Sequence, residues 1–234
     1  MKNANDNQQL KQLVGTAAAG LIKDGMICGI GTGSTVAFLI NELGRRIKEE
    51  NLNIMGVPTS FQSKILCRKY QIPTIDPQEC SELDIVIDGA DEVDSDLNVI
   101  KGGGAAHTLE KVVASMAKKF VIIVDESKLV PRLNHAFPVP VEIIPAALTF
   151  VTDQIKSLGG EPSLRMAIRK DGPVVTDNGQ FNLDVQFKPD SDLRQIDRQL
   201  HSIPGVIETG LFFDMAAMVL VGSAAEMKVK TMTK

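Results

Sequence analysis

The chain is 234 residues long, 44% apolar and 23% charged, a composition that supports a sizeable folded core and excludes a disordered chain. A net charge of −4 with no basic stripe argues against a nucleic-acid binder, so any anionic ligand must be held by local geometry. The three cysteines, Cys28, Cys67 and Cys80, lack metal-ligand spacing and read as reduced thiols of a cytoplasmic protein. The polar stretch 1–11 has no apolar centre of a secretory signal, and the uncharged run 25–41 is too broken by glycine to span a membrane.

In chain order, Leu10, Leu13, Val14, Ala17, Ala18 and Leu21 recur at helical spacing, and Asp24-Gly25 ends that helix. The apolar run 26–30 predicts a buried strand. A turn at 31–35 leads into a helix over 35–48, with Val36, Leu39, Ile40, Leu43 and Ile47 on one face. A strand over 54–57, a helix over 61–70, a strand over 84–87, a helix over 105–118 and a strand over 120–124 follow. Such alternation predicts a Rossmann-like, mainly parallel sheet with helices on both faces.

The pattern changes beyond about residue 131. The spacing there predicts a strand over 139–143, a helix over 146–158 and strands over 164–168 and 181–185 about a turn at 177–179. A helix over 193–201 and a strand over 206–211 complete the order β-α-β-β-α-β of a ferredoxin-like α+β domain. The apolar run 218–221 then rejoins the first sheet. Residues 134–211 thus read as a smaller domain inserted into an α/β domain made of 1–133 and 212–234.

Three segments carry chemistry, each next to a predicted strand end, where open α/β sheets bind ligands. Gly31, Thr32, Gly33, Ser34 and Thr35 stand between a strand and a helix. Backbone amides at a helix start, aided by the helix dipole, hold anions. A dinucleotide fingerprint would need a third glycine where Val36 stands, and a nucleotide P-loop would end in Gly-Lys-Ser or Gly-Lys-Thr. The same residues would also serve as a tight turn with serine or threonine capping the helix.

Asp88, Gly89, Ala90, Asp91 and Glu92 follow an apolar strand. Carboxylates gathered at one mouth repel each other, so they suggest sugar hydroxyls, proton transfer or a cation as their purpose, with a solvated acidic loop as the plain alternative. Asp94, Asp96 and Asn98 resemble the start of a calcium loop but lack its sixth-place glycine and its glutamate, where Ala105 stands. Lys101, Gly102, Gly103, Gly104, Ala105 and Ala106 lead into the helix that carries Glu110. Lys101 and the glycine amides suit a developing oxyanion. Glu110 is expected in the second turn, above Ala106 and His107, where partial desolvation would raise its pKa toward that of a general base. An exposed glutamate paired with a lysine is the ordinary alternative. His107, His135 and His201 form no zinc pattern, His107 reads as a bystander, and no G-x-S-x-G elbow occurs.

Together these segments resemble the ribose-5-phosphate isomerase type A family, in which they stand in the same order. Asp125, Glu126, Ser127 and Lys128 extend the likeness, as do the stretches 137–142, 175–179 and 203–206, so that it covers nearly the whole chain. His107 and Leu109 depart from the pattern, and neither is a proposed catalytic group. The resemblance implies a cofactor-free and metal-free isomerase that interconverts ribose 5-phosphate and ribulose 5-phosphate through an enediolate, in the pentose phosphate pathway. It makes Glu110 the base; Lys101 is a candidate catalytic partner at the oxyanion, and because the sugar must be acyclic to react, Asp88 or Asp91 is expected to assist ring opening. Thr32, Gly33, Ser34, Thr35, Asp88, Gly89, Ala90, Asp91, Lys101, Gly102, Gly103, Gly104, Lys128 and, at the phosphate, Lys11 are the implied substrate contacts. A homodimer or homotetramer is the implied assembly. Sugar-phosphate deaminases, CoA transferases and non-catalytic sugar-phosphate sensors are the competing classes, and the sensor's basic DNA-reading segment is missing from this sequence.

Overall fold

The computed structural model describes residues 4–234; residues 1–3, at the head of the polar N-terminal stretch, lie outside the described residues. The first half runs α1 (Ala4–Ala19), β1 (Ile27–Ile30), α2 (Ser34–Glu50), β2 (Met55–Pro58), α3 (Phe61–Lys69) and β3 (Ile85–Asp88). Two short strands, β4 (Glu92–Val93) and β5 (Val99–Ile100), precede α4 (His107–Ser115) and β6 (Phe120–Asp125). Then come β7 (Val139–Ile143), α5 (Leu148–Ser157), β8 (Glu161–Leu164), β9 (Phe181–Gln186), α6 (Leu193–His201) and β10 (Val206–Thr209). The chain closes with β11 (Leu211–Phe212), β12 (Met218–Ser223) and β13 (Lys228–Thr233).

The main sheet has the order β13-β12-β6-β3-β1-β2. Its strands are parallel except β13, which pairs antiparallel with β12 at the edge. Both faces are covered, which is why β3 and β6 are near-continuous apolar runs. On one face Val14 and Ala18 of α1 and Leu39 and Leu43 of α2 pack with Ile87 and Ile123. On the other, Val113 of α4 packs with Val86, Ile122 and Phe212. Local chemistry sets the helix starts: Ser60 and Ser63 form a reciprocal cap on α3, and the Asp192 carboxylate accepts from the Arg194 and Gln195 amides at α6.

The segment between β6 and β12 builds a second sheet in the order β10-β7-β9-β8, antiparallel throughout. Numbered within the segment this is 4-1-3-2, the arrangement expected of a ferredoxin-like unit. Its core joins Val139, Val141, Val151, Ile155, Leu183 and Leu200. A third, small sheet, β11-β5-β4, joins the two residues that follow the second sheet to two short strands of the first half.

Several boundaries differ from the sequence reading. The expected helix over 105–118 is only His107–Ser115. Ala105 takes a left-handed φ of 56°, and the Lys118 amide already bonds to Leu83 O as the chain straightens toward β6. The strand expected over 164–168 is Glu161–Leu164. Past it, residues 165–174 peel off as a separate hairpin, bridged at Met166 and Pro173, with Ile168 fully exposed at its tip. The strand expected over 206–211 breaks at Gly210, so that its first part pairs with β7 and its second with β5. The strands β4, β5 and β13 were not expected.

Gly15 sits where α1 crosses α2. A β-carbon there would fall 2.8 Å from the Leu39 amide nitrogen and from Phe38 Cβ. Gly15→Val is expected to destabilise the protein by about 1–3 kcal/mol through overpacking, read as a lowered urea midpoint with an unchanged slope.

Candidate active site

Strand order reverses beside β1, because the chain leaves β1 for β2 on one side and returns to β3 on the other. The loops after β1 and β3 therefore diverge, opening a crevice at the carboxyl ends of the strands. A cleft of about 380 Å³ occupies this crevice. All three segments singled out in the sequence reach it. Lys11, Thr32, Gly33, Ser34, Thr35, Gly89, Ala90, Asp91, Lys101, Gly102, Gly103, Gly104, Glu110 and Lys128 line it. Asp88 does not; it is fully buried beneath the floor.

The first loop is shaped by Asp88. Its Oδ1 accepts from the Thr32 amide at 2.9 Å and from the Gly89 amide at 2.7 Å. A β-carbon on Gly31 would overlap the Asp88 carboxylate, so no other residue lets the two loops approach this closely. The Thr32 hydroxyl donates to Ser60 Oγ at 2.7 Å and lies 3.0 Å from Thr59 Oγ1, tying the loop to the end of β2. Helix α2 then starts at Gly33 with no side-chain cap and no acidic residue in its first turn. The serine or threonine cap that the sequence allowed is not formed. The positive end of the α2 dipole thus faces the cleft uncompensated, a ready site for an anion. Lys11 reaches the same place from α1, donating to Ser34 Oγ at 2.9 Å.

The floor of the cleft holds three buried charges. Lys101 Nζ lies 2.9 Å from Asp88 Oδ2 and 3.1 Å from Glu110 Oε2, and it donates to Gly89 O at 2.7 Å. Burial alone would lower the Lys101 pKa, but the Asp88 and Glu110 carboxylates outweigh it and hold the ammonium above the usual lysine range. Glu110 is pushed up to about 7, first by burial and then by the Asp88 charge, with Lys101 opposing. Glu110 stands in the first turn of α4, not the second, because that helix starts later than the sequence suggested.

The acidic loop divides its tasks. Asp91 lines the cleft, and its Oδ2 accepts from the Gly103 amide at 2.8 Å, holding the glycine triplet. Glu92 turns away and accepts from the amides of His135, Ala136 and Phe137. Asp94 closes the β4–β5 hairpin by accepting from the Asp96 and Asn98 amides. His107 is fully buried, 3.3 Å from Glu208 O through Nε2, and burial lowers its pKa to about 3, so it stays neutral. Among the described residues no group of three His, Cys, Asp or Glu side chains is arranged to hold a metal ion.

Sequence reasoning missed Gln62, whose Oε1 accepts from the Gly33 amide at 3.0 Å at the cleft rim. Its only local signal is its place one residue past the start of α3, at the end of β2. Ile123 and Val124, at the end of β6, also line the cleft and were unassigned.

An open α/β sheet with a switch-point cleft, an uncapped helix start, two rim lysines and a buried Lys–Asp–Glu cluster offers donors suited to a small anion beside a carboxylate able to exchange a proton. Comparison with known proteins narrows this chemistry. The family model for ribose 5-phosphate isomerase A (phosphoriboisomerase A) matches residues 55–226. Ribose-5-phosphate isomerase A of Thermosynechococcus vestitus is 53% identical over 220 residues, 94% of this chain and 93% of that protein. The solved ribose 5-phosphate isomerase A of Methanocaldococcus jannaschii superposes with a TM-score of 0.92 at 47% identity, covering 97% of this chain and all of the other. A D-ribose-5-phosphate isomerase solved in complex with phospho-erythronic acid has a TM-score of 0.92 at 42% identity, covering 96% of this chain and 98% of that one. The chain belongs to the ribose 5-phosphate isomerase A family, as the motif resemblance implied.

Glu110 has a stability consequence. Its pKa rises from 4.5 to about 7 on folding. Below pH 4.5 the carboxyl is neutral in both states. Between these values the unfolded chain releases the proton and the folded chain keeps it, so stability falls as pH rises; above about 7 the deficit is constant. Glu110→Gln removes this dependence. Its stability relative to the native protein is expected to climb from pH 4.5 to about 7 and then level off, in denaturant melts run across that window.

Proposed function

We propose that the protein interconverts D-ribose 5-phosphate and D-ribulose 5-phosphate, with Glu110 as the base that carries a proton between C2 and C1. The observation that carries the assignment is the buried Glu110 carboxylate at the cleft floor, 3.1 Å from Lys101 Nζ. Family membership and the phospho-erythronic acid bound by a relative at 42% identity support it. That compound has a phosphate at one end and a planar anionic carboxylate at the other, the charge pattern of an enediolate sugar phosphate.

The substrate phosphate is assigned to the start of α2, with the hydroxyls of Ser34 and Thr35 and the ammonium groups of Lys11 and Lys128 around it. The α2 dipole and the rim lysines supply positive charge there, although the chain as a whole is acidic. The sugar then runs across the floor toward Glu110. Asp91 is the better candidate for ring opening, since it faces the cleft whereas Asp88 is buried and committed to the Thr32 and Gly89 amides and to Lys101. Once the chain is open, Glu110 takes the C2 proton and the charge moves to the carbonyl oxygen. Lys101 and the glycine amides stabilise that oxygen; the C2 hydroxyl proton passes to O1, the charge moves to O2, and Glu110 returns its proton at C1 so that the C2 ketone forms. Asp88 acts through Lys101 by keeping it protonated.

The reading also treats 134–211 as a domain carried by the α/β unit. It takes the protein to be a cytoplasmic dimer or tetramer that uses no cofactor. Free thiols at Cys28, Cys67 and Cys80 suit a reducing compartment, and Phe61 and Ile65 expose apolar surface on α3 suited to self-association.

Glu110→Gln is expected to lower kcat for ribose 5-phosphate by about 10²–10⁴-fold with KM little changed. It should also abolish deuterium entry from heavy water into the sugar phosphate; near-normal turnover would overturn the base assignment. In the native enzyme kcat/KM should fall as pH drops below about 7, where Glu110 becomes protonated, and an acid limb near pH 4 would contradict its raised pKa.

A further inference from the structure

We infer that Arg165, on the inserted unit and outside the cleft lining, is a positioning residue that sets the glycine triplet for the transition state. The inference deepens the isomerase reading and rests on it. Arg165 follows β8 directly. Its guanidinium is mostly buried and is held as a fork on Asp184: Nε donates to Oδ2 at 2.9 Å and Nη2 donates to Oδ1. The remaining terminal nitrogen, Nη1, donates to Gly102 O at 2.7 Å and to Gly103 O at 3.2 Å.

These two carbonyls belong to the peptides whose amides are Gly103 N–H and Gly104 N–H. In a trans peptide C=O and N–H point to opposite sides. Drawing both carbonyls toward Arg165 turns both amides the other way. For Gly103 the result is visible, since its amide meets Asp91 Oδ2 at 2.8 Å on the cleft side. The same geometry directs the Gly104 amide away from Arg165, and Gly104 lines the cleft together with Lys101 and Glu110. The positive charge on Arg165 also polarises both peptides, making their amides better donors. Glycine has no side chain to hold such a loop. Arg165 supplies that rigidity from the opposite side, and Asp184 locks the guanidinium plane. The local tie, a turn bond from the Ala105 amide to Gly102 O at 2.9 Å, holds the first of these carbonyls but not that of Gly103.

The role predicts selectivity for the anionic, planar stage of the reaction. Arg165→Met is expected to lower kcat for ribose 5-phosphate by about 10- to 100-fold, the scale of a misplaced catalytic group, with a smaller change in KM. By calorimetry, its affinity for 4-phosphoerythronate should fall at least about 10-fold, while its affinity for ribitol 5-phosphate, which lacks the anionic carboxylate, should fall less than about 3-fold. Arg165→Lys, which can reach one carbonyl but cannot fork, should recover part of the loss. A merely structural role would lower the melting temperature and leave the ratio of the two affinities unchanged. A folded R165M protein with native kcat and a native affinity ratio overturns the proposal. Should R165M fail to fold, Asp184→Asn takes its place; it is expected to shift the ratio in the same direction by a smaller factor, and a native ratio there overturns the proposal equally. Native protein that turns over no ribose 5-phosphate would sink the isomerase reading itself. Native turnover beside an unimpaired R165M would sink only the positioning role.

Discussion

One ammonium group buried between two carboxylates governs the architecture of the cleft. Lys101 is 3% exposed, and both of its partners are buried as well. An unpaired charge at that depth would cost several kcal/mol, and a single partner would leave the pair with hydrogen-bonding capacity unmet. Lys101 answers this with two carboxylates, the Gly89 carbonyl and the face of Phe212, whose ring centre lies 5.7 Å away. The cluster carries one more negative than positive charge. That imbalance, together with dehydration, is what lifts the proton affinity of Glu110.

The surrounding fold exists to hold this arrangement still. Asp88 is fixed by two amides on adjoining loops, so the same carboxylate that balances Lys101 also shapes the turn leading to α2. Lys101 is placed at the end of β5, where its amide bonds to Gly210 O, and Gly210 in turn donates to Pro140 O. The inserted unit, which holds both Gly210 and Pro140, therefore reaches the site itself. It anchors the backbone of the central lysine, and through Glu142 it accepts from Thr108, two residues before Glu110, and from Thr176. Asp177, next along, accepts from the Phe61 amide at the start of α3. The cleft is thus bracketed on both sides by contacts that cross from one unit to the other.

Much of this was legible in the sequence, and the reason is local. The strands β1, β3 and β6 are buried on both faces, so they appear as apolar runs, and the chemistry-bearing residues follow directly at their ends. Gly31 and the triplet before α4 mark places where side chains pack directly on the backbone, Asp88 at Gly31, Pro140 and His107 at Gly102 and Asp91 at Gly103. What stayed hidden depends on partners far along the chain. The strands β4, β5 and β11 have two residues each and exist only because they pair together. β13 reads Lys-Val-Lys-Thr-Met-Thr, with only Val229 and Met232 partly buried and three residues apart, so it shows neither an apolar run nor a two-residue period. Gln62 and Arg165 look like ordinary polar residues until the fold brings them to Gly33 and to Gly102. Asp88 and Asp91 were indistinguishable on the page; only three-dimensional placement shows one beneath the floor and the other on it.

The contact between Gly31 and the Asp88 carboxylate also bears on how this site can change over evolutionary time. Neither position is free to drift alone: a larger residue at 31 evicts the acid, and loss of the acid leaves two loop amides and an ammonium without their partner. Descendants that abandon this chemistry would be expected to lose both together, whereas those that retain it inherit the two as a single unit.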